Sequence, residues 1–173
     1  MLKSIVSTFA VLFWVATQAQ PLDKRAIPSN SDIQTILNVH NTFRARHSSP
    51  PLVWNATLAN FANQWTLRCQ FAHSGGPYGE NLALRTANWN ATVSAWYNEV
   101  SLYDYNNPGF SSSTGHFTQV VWKDTTQVGC AVTSCPNLNG NFYACEYSPR
   151  GNVIWGGTDP NRFFRTNVLP PRT

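Results

Sequence analysis

The sequence predicts one α+β domain, with amphipathic helices in its first half and an antiparallel sheet in its second. Three observations lead there. Apolar residues recur at helical spacing through the first hundred positions. Short runs rich in β-branched and aromatic residues crowd the stretch from 128 to 155. The chain has 173 residues, enough for one packed core and too few for two. Helices followed by strands is an α+β order, not the βαβ alternation of a parallel sheet.

The elements follow in turn. Ile33, Ile36, Leu37, His40 and Phe43 lie on one face of a first helix, with Ser31 or Asp32 as its cap and Pro50-Pro51 as its stop. Leu58, Phe61, Ala62, Trp65 and Cys69 form the apolar face of a second. A turn at Gly75-Gly76-Pro77 separates it from a third helix marked by Trp89, Val93, Trp96 and Val100. Residues 101–115, rich in Asn, Pro, Gly and Ser, read as a loop. Phe117 to Trp122 reads as a short helix or turn. Strands are expected at 128–133, 141–147 and 153–155.

Residues 1–19 read as a secretory signal. Lys3 supplies the basic start, residues 5–16 the apolar run, and Thr17-Gln18-Ala19 the small-residue end. That run is shorter than the roughly 20 residues a membrane span needs. Residues 20–30 are a lead-in carrying the dibasic pair Lys24-Arg25, a candidate propeptide cut. Cleavage there leaves nine basic and seven acidic residues, a net charge of +2. With no basic run and no interleaved aromatic stripe, no nucleic-acid partner is expected. Such a chain is expected outside the cell.

Four cysteines in a secreted chain imply disulfides. Cys130 and Cys145 lie in two apparent strands flanking a Pro/Asn/Gly turn, so they can face each other across a hairpin. That leaves Cys69 with Cys135. A structural zinc site is disfavoured because no C-x-x-C pair occurs. The sequons at Asn55 and Asn90 are candidate N-glycan acceptors, and each is equally readable as a helix cap.

The chemistry-bearing residues are His73, Glu80, Glu99 and His116. Two imidazoles and two carboxylates can bind a divalent metal such as Zn or Mg with a position open to water, or can support acid–base work. Spacing alone does not bring them together, since 43 positions separate the two histidines. His40, on the apolar face of the first helix, reads as a hydrogen-bonded core residue, and His47 as exposed.

Longer motifs now enter. Gly115-His116-Phe117-Thr118-Gln119-Val120-Val121-Trp122-Lys123 resembles the first signature of the CAP superfamily, the group of cysteine-rich secretory proteins, insect venom antigens and class-one plant pathogenesis-related proteins. Residues 142–153, beginning Phe142-Tyr143-Ala144-Cys145-Glu146-Tyr147, are similar to its second. His40-Asn41 with Arg44, Leu52-Val53-Trp54-Asn55 and Gly79-Glu80-Asn81 match in order. Glu146 departs from the polar uncharged residue common at its place. The resemblance covers residues 31–158 and leaves 159–173 as a C-terminal extension. It implies an α-β-α sandwich with helices flanking a central antiparallel sheet. It further implies that His73, Glu80, Glu99 and His116 converge in one cavity, with His73 and His116 as metal ligands. It implies no generally accepted catalytic activity.

Tyr103, Tyr105, Pro108 and Phe110 sit on the loop after the third helix. Aromatics on such a loop either tuck onto the domain or bind something. The segment resembles that of the secreted sterol-export CAP proteins of yeasts, which implies that Tyr103, Tyr105 and Phe110 present ring faces to a sterol. Fatty acids, held in a groove between helices in some relatives, are a second implied ligand class. Arg162 and Arg165 around Phe163-Phe164 fit a tail packed over the sheet better than the alternative, peripheral membrane contact. A monomer is expected. Two other functions compete with lipid binding. One is a metal-dependent hydrolase, although the H-E-x-x-H pattern is absent. The other is an effector that docks on a receptor.

Overall fold

The computed structural model describes residues 28–172, so the expected signal and the dibasic pair lie outside the described residues. Its elements run α1 (Asn30–Arg46), β1 (Val53–Trp54), α2 (Ala56–Thr66), β2 (Gly79–Leu84), α3 (Trp89–Asn98), α4 (Gly115–Val121), β3 (Gln127–Cys135), β4 (Gly140–Ser148) and α5 (Arg162–Asn167). The four strands form one sheet in the order β1-β3-β4-β2. It is antiparallel except for the short parallel pairing of β1 with β3 at one edge. The fold is the α-β-α sandwich the sequence predicts.

Alternation along the strands builds the two cores. Val128, Cys130, Tyr143, Cys145 and Tyr147 face one way and meet Ile36 of α1, Trp89, Val93 and Trp96 of α3, and Phe117 and Val120 of α4. Leu82, Ala131, Phe142 and Ala144 face the other way and meet Ala62 of α2. Cys130 lies opposite Cys145 in the β3–β4 register and is bonded to it. Cys69, just past α2, is bonded to Cys135 at the end of β3, tying the lone helix of its layer to the sheet.

Three local expectations are corrected. The cap of α1 is Ser29, which exchanges capping-box hydrogen bonds with Asp32. Residues 79–84, not singled out as a strand, form the edge strand β2. Residues 153–155 form no strand. Asn152, in the left-handed region at φ 55°, turns the chain toward α4, where its side chain bonds Thr118 and the Gly115 carbonyl. The segment beyond residue 158 packs onto the body: Phe164 of α5 is buried against Trp122.

The sequons differ. Asn55 caps α2, its Oδ1 accepting from the Thr57 and Leu58 amides while its Nδ2 donates to Gln127 at 2.6 Å. A glycan would occupy that nitrogen. Asn90 is exposed on the first turn of α3, which Asn88 caps instead.

Arg44 is fully buried and has no carboxylate partner among the described residues. Its Nε donates to the Pro50 carbonyl at 2.8 Å. Its two terminal nitrogens donate to the Val120, Trp122 and Thr125 carbonyls at 2.7–3.0 Å. Burial pushes the guanidinium down to about 10, which leaves it charged at neutral pH. Arg44→Met should destabilise the protein by about 3–5 kcal/mol, because the buried carbonyls lose their donors. Denaturant unfolding, with its slope unchanged and its midpoint lowered, is the check.

Candidate functional site

Gly115–Val121 is a helix of seven residues, too short to persist alone. Side chains from elsewhere hold both of its ends. At its start, the Glu99 carboxylate accepts from the His116 amide at 3.0 Å and the Phe117 amide at 3.1 Å. This satisfies orphan donors and places negative charge at the positive helix end. The other oxygen of Glu99 accepts from His116 Nδ1 at 2.7 Å. Trp96 stacks beside the imidazole. At the far end, Ser49 Oγ donates to the Val121 carbonyl at 2.6 Å, between the two carbonyls that Arg44 holds.

Glu80 does the parallel work on β2. Its carboxylate accepts from His73 Nδ1 at 2.5 Å and from the Ser74 amide at 3.1 Å. Each glutamate therefore fixes one histidine through Nδ1–H and leaves Nε2 as the ring's free lone pair. That arrangement fits an imidazole ready to ligate a metal, the outer carboxylate setting tautomer and orientation. Two such nitrogens suit zinc better than magnesium, which prefers oxygen donors. A closed four-ligand zinc site does not fit: among the described residues no group of three or more His, Cys, Asp or Glu side chains is placed to hold an ion.

One cleft of about 390 Å³ brings His73, Glu80 and His116 together. Glu99 is not among its lining residues and stands behind His116. Asn81, Gln119, Arg150 and Asn152 add polar atoms to the walls, and Phe110 and Ile154 add apolar ones. Gly79 is required here, since a Cβ at that position would run into Gln119 Oε1. The sequence reasoning did not assign Gln119, Arg150 or Asn152 to the site, although all three stand inside the motifs that carry it. Ile154 was read as strand.

The loop aromatics separate. Tyr103 is 8% exposed and packs edge-on against Phe117 and Tyr105. Its ring packs in the core, and the residue also lines the depression beside the cleft with Leu102 and Phe110. Tyr105 is half-buried with its hydroxyl inside, and Pro108 is half-buried. Phe110 is 51% exposed and reaches into the cleft wall.

Two other histidines are structural. His40 is buried, with Nδ1–H donating to the Ile36 carbonyl and Nε2 accepting from the Tyr147 hydroxyl, each at 2.8 Å. Burial pushes it down to about 4, so it is neutral. Asn81 continues this chain to the His116 carbonyl at 3.1 Å. His47, expected to be exposed, is buried. Ser48, at φ 59°, turns the chain, and the His47 ring bonds the Leu169 carbonyl and the Tyr97 hydroxyl.

Beneath the cleft, Glu146 of β4 lies opposite Glu80 of β2 in the strand register. It is fully buried and neither oxygen has a hydrogen-bond partner among the described residues. Burial, and then the neighbouring Glu80 charge, push its carboxyl up to about 9, so it is protonated at neutral pH.

The fold and the paired His–Glu cleft define a CAP-type domain. The chain belongs to the cysteine-rich secretory protein family, CAP, whose model matches residues 37–147. It is 46% identical to "Protein PRY2" of Saccharomyces cerevisiae over 161 residues, 90% of this chain and 46% of that protein. It is 45% identical to "Secreted protein RBT4" of Candida albicans over 151 residues, 80% of this chain and 41% of that protein. The chain thus spans about half the length of these curated relatives or less. Among solved structures, NaASP2 with Zn2+ superposes at a TM-score of 0.64 with 19% identity, covering 87% of this chain and 90% of that one. That likeness carries the fold alone.

The sign of the Glu146 effect on stability follows from its raised pKa. The native carboxyl holds its proton up to about pH 9, whereas the unfolded one loses it in the ordinary carboxyl range. Between those limits the native state binds the extra proton, so stability falls as pH rises. Glu146→Gln should flatten that slope and raise stability at pH 8 by at least about 1 kcal/mol. Unfolding measured from pH 5 to pH 9 on both proteins is the check.

Proposed function

We propose that this chain is a secreted protein that binds sterols and related hydrophobic molecules for export or sequestration. One observation carries the reading. The cleft sets the polar groups of His73, Glu80 and His116 beside the apolar side chains of Phe110 and Ile154. A ligand matched to that surface has one polar head and a rigid apolar body, which is the chemistry of a sterol. The volume is within the range of small-molecule sites. Neither histidine hydrogen-bonds a hydroxyl or thiol nucleophile among the described residues; both Nδ1 atoms go to carboxylates. That favours holding a head group over acyl transfer.

Four parts of the chain take roles in this reading. Phe110 lies against the flat face of the ligand, and Tyr103, Tyr105 and Pro108 shape the loop from inside. His73 and His116 would hold a zinc ion through Nε2, which would supply a Lewis-acidic contact for the ligand oxygen. Glu80 and Glu99 keep the two rings oriented. Secretion is supported by the leader-like residues 1–19, the two disulfides and a relative named a secreted protein. Asn90 is the more available glycan acceptor.

Oxidised protein should bind a fluorescent sterol, delivered from cyclodextrin, saturably and at one site. Phe110→Ala should weaken that binding by roughly tenfold, from the lost apolar contact. Tyr103→Ala should instead lower the unfolding midpoint. Loss of binding on adding a chelator would assign the ion a part in holding the head group, and unchanged binding would assign the head to protein donors alone. If the protein binds neither sterol nor fatty acid saturably, the proposal fails.

A further inference from the structure

Among the described residues seven large apolar side chains are exposed, and four of them, Leu102, Phe110, Ile154 and Trp155, lie in or next to two adjoining depressions. Their contiguity can be traced. Phe110 and Ile154 both line the His73/His116 cleft. Leu102 and Phe110 share the adjoining depression, which also contains Asn161. Trp155 follows Ile154 and meets Phe163 edge-on, with the Arg162 guanidinium over both rings at 4.7 Å. These side chains are 46–65% exposed. Leaving such an apolar rim in water is costly, and a rim around a binding cleft marks an interaction surface.

The charges on this rim are mainly positive. Arg150 lines the cleft and Arg162 covers Trp155, and among the described residues neither has a carboxylate partner. Arg165 is paired with Asp159. Asp104, on the Leu102 side, and Glu80, nearly buried in the cleft, are the other acidic residues. An exposed tryptophan beside arginines, with aliphatic and phenyl groups projecting next to it, suits the boundary between lipid headgroups and acyl chains. There the rings and apolar stems enter while the guanidinium groups stay at the phosphates.

We infer that the cleft rim formed by Leu102, Phe110, Ile154 and Trp155, with Arg150 and Arg162, docks on an anionic lipid bilayer surface. The inference builds on the lipid-binding reading: docking there turns the cleft mouth to the membrane, so a ligand passes between bilayer and cleft without crossing water. Among the described residues no helix is long and apolar enough to cross a membrane.

The test is vesicle flotation, using phosphatidylcholine vesicles with and without phosphatidylserine, all free of sterol. Leu102→Ser/Trp155→Ser removes two rim residues that do not line the His73/His116 cleft. The unmutated protein should float with the anionic vesicles. The double variant should lose on the order of tenfold in partitioning, from the lost interfacial burial. Val53→Ser, another exposed apolar side chain, on the short strand β1, should not change it. Arg150→Gln/Arg162→Gln should weaken binding to anionic vesicles and bring it to the level seen with phosphatidylcholine alone. The Leu102→Ser/Trp155→Ser variant should keep its unfolding midpoint and its affinity for sterol delivered from cyclodextrin. The inference is overturned if the unmutated protein floats only when sterol is placed in the vesicles, if it does not float at all, or if the rim variant floats equally well. Sterol binding without flotation would sink the docking surface and leave the ligand reading intact. Flotation without sterol binding would do the reverse.

Discussion

Arg44 is the group on which the arrangement depends. A buried cation without a counter-ion is costly unless every donor is satisfied. Here four carbonyls satisfy it, from the turn after α1, the end of α4 and the approach to β3. The charge also sits at the negative end of the α4 dipole. One side chain thus fixes where α1, α4 and the sheet meet. With Ser49 beside it, it supplies the acceptor-rich end of a helix that has too few residues to stand by itself.

The same short helix depends at its other end on Glu99, so the scaffold and the site share a group. Glu99 cannot be viewed as only a cap or only a partner of His116, because its two oxygens serve the backbone and the imidazole together. Glu80 repeats the arrangement with Ser74 and His73. Each histidine is therefore held by a carboxylate that is itself held by main chain. Such rings have little freedom to turn, and the cleft is preorganised before any ligand arrives. Behind His116, the chain of His40, Tyr147 and Asn81 extends this rigidity through the larger core.

A cost is visible beneath the floor of the cleft. Glu146 brings a second carboxyl close to Glu80, and the low-dielectric layer between α2 and the sheet cannot hold two adjacent negative charges. The pair is tolerable with one proton retained. The rest of that layer is built from small and apolar side chains, Ala62, Ala131, Ala144 and Phe142, and the Cys69–Cys135 bond ties α2 to it.

Much of the fold was legible in the sequence because its signals are local. Helical spacing marked α1, α2 and α3, and alternation marked β3 and β4. Six-residue β2 escaped because Gly79-Glu80-Asn81 has neither clear alternation nor β-branched residues. It is a strand only because β4 offers it a partner along its whole length. The run 153–155 has strand-like composition but pairs with none of the four strands. His47 sits among polar neighbours and Tyr103 on a loop, and the aromatic partners that bury them come from elsewhere in the chain. By itself the sequence determined the family, the α+β order and the residue types of the site. Only the tertiary structure decided that Glu99 stands behind the cleft, that Phe110 alone of the loop aromatics reaches its wall, and that the exposed apolar residues gather at its mouth. Those facts depend on which distant segments pack together, and no local spacing encodes that.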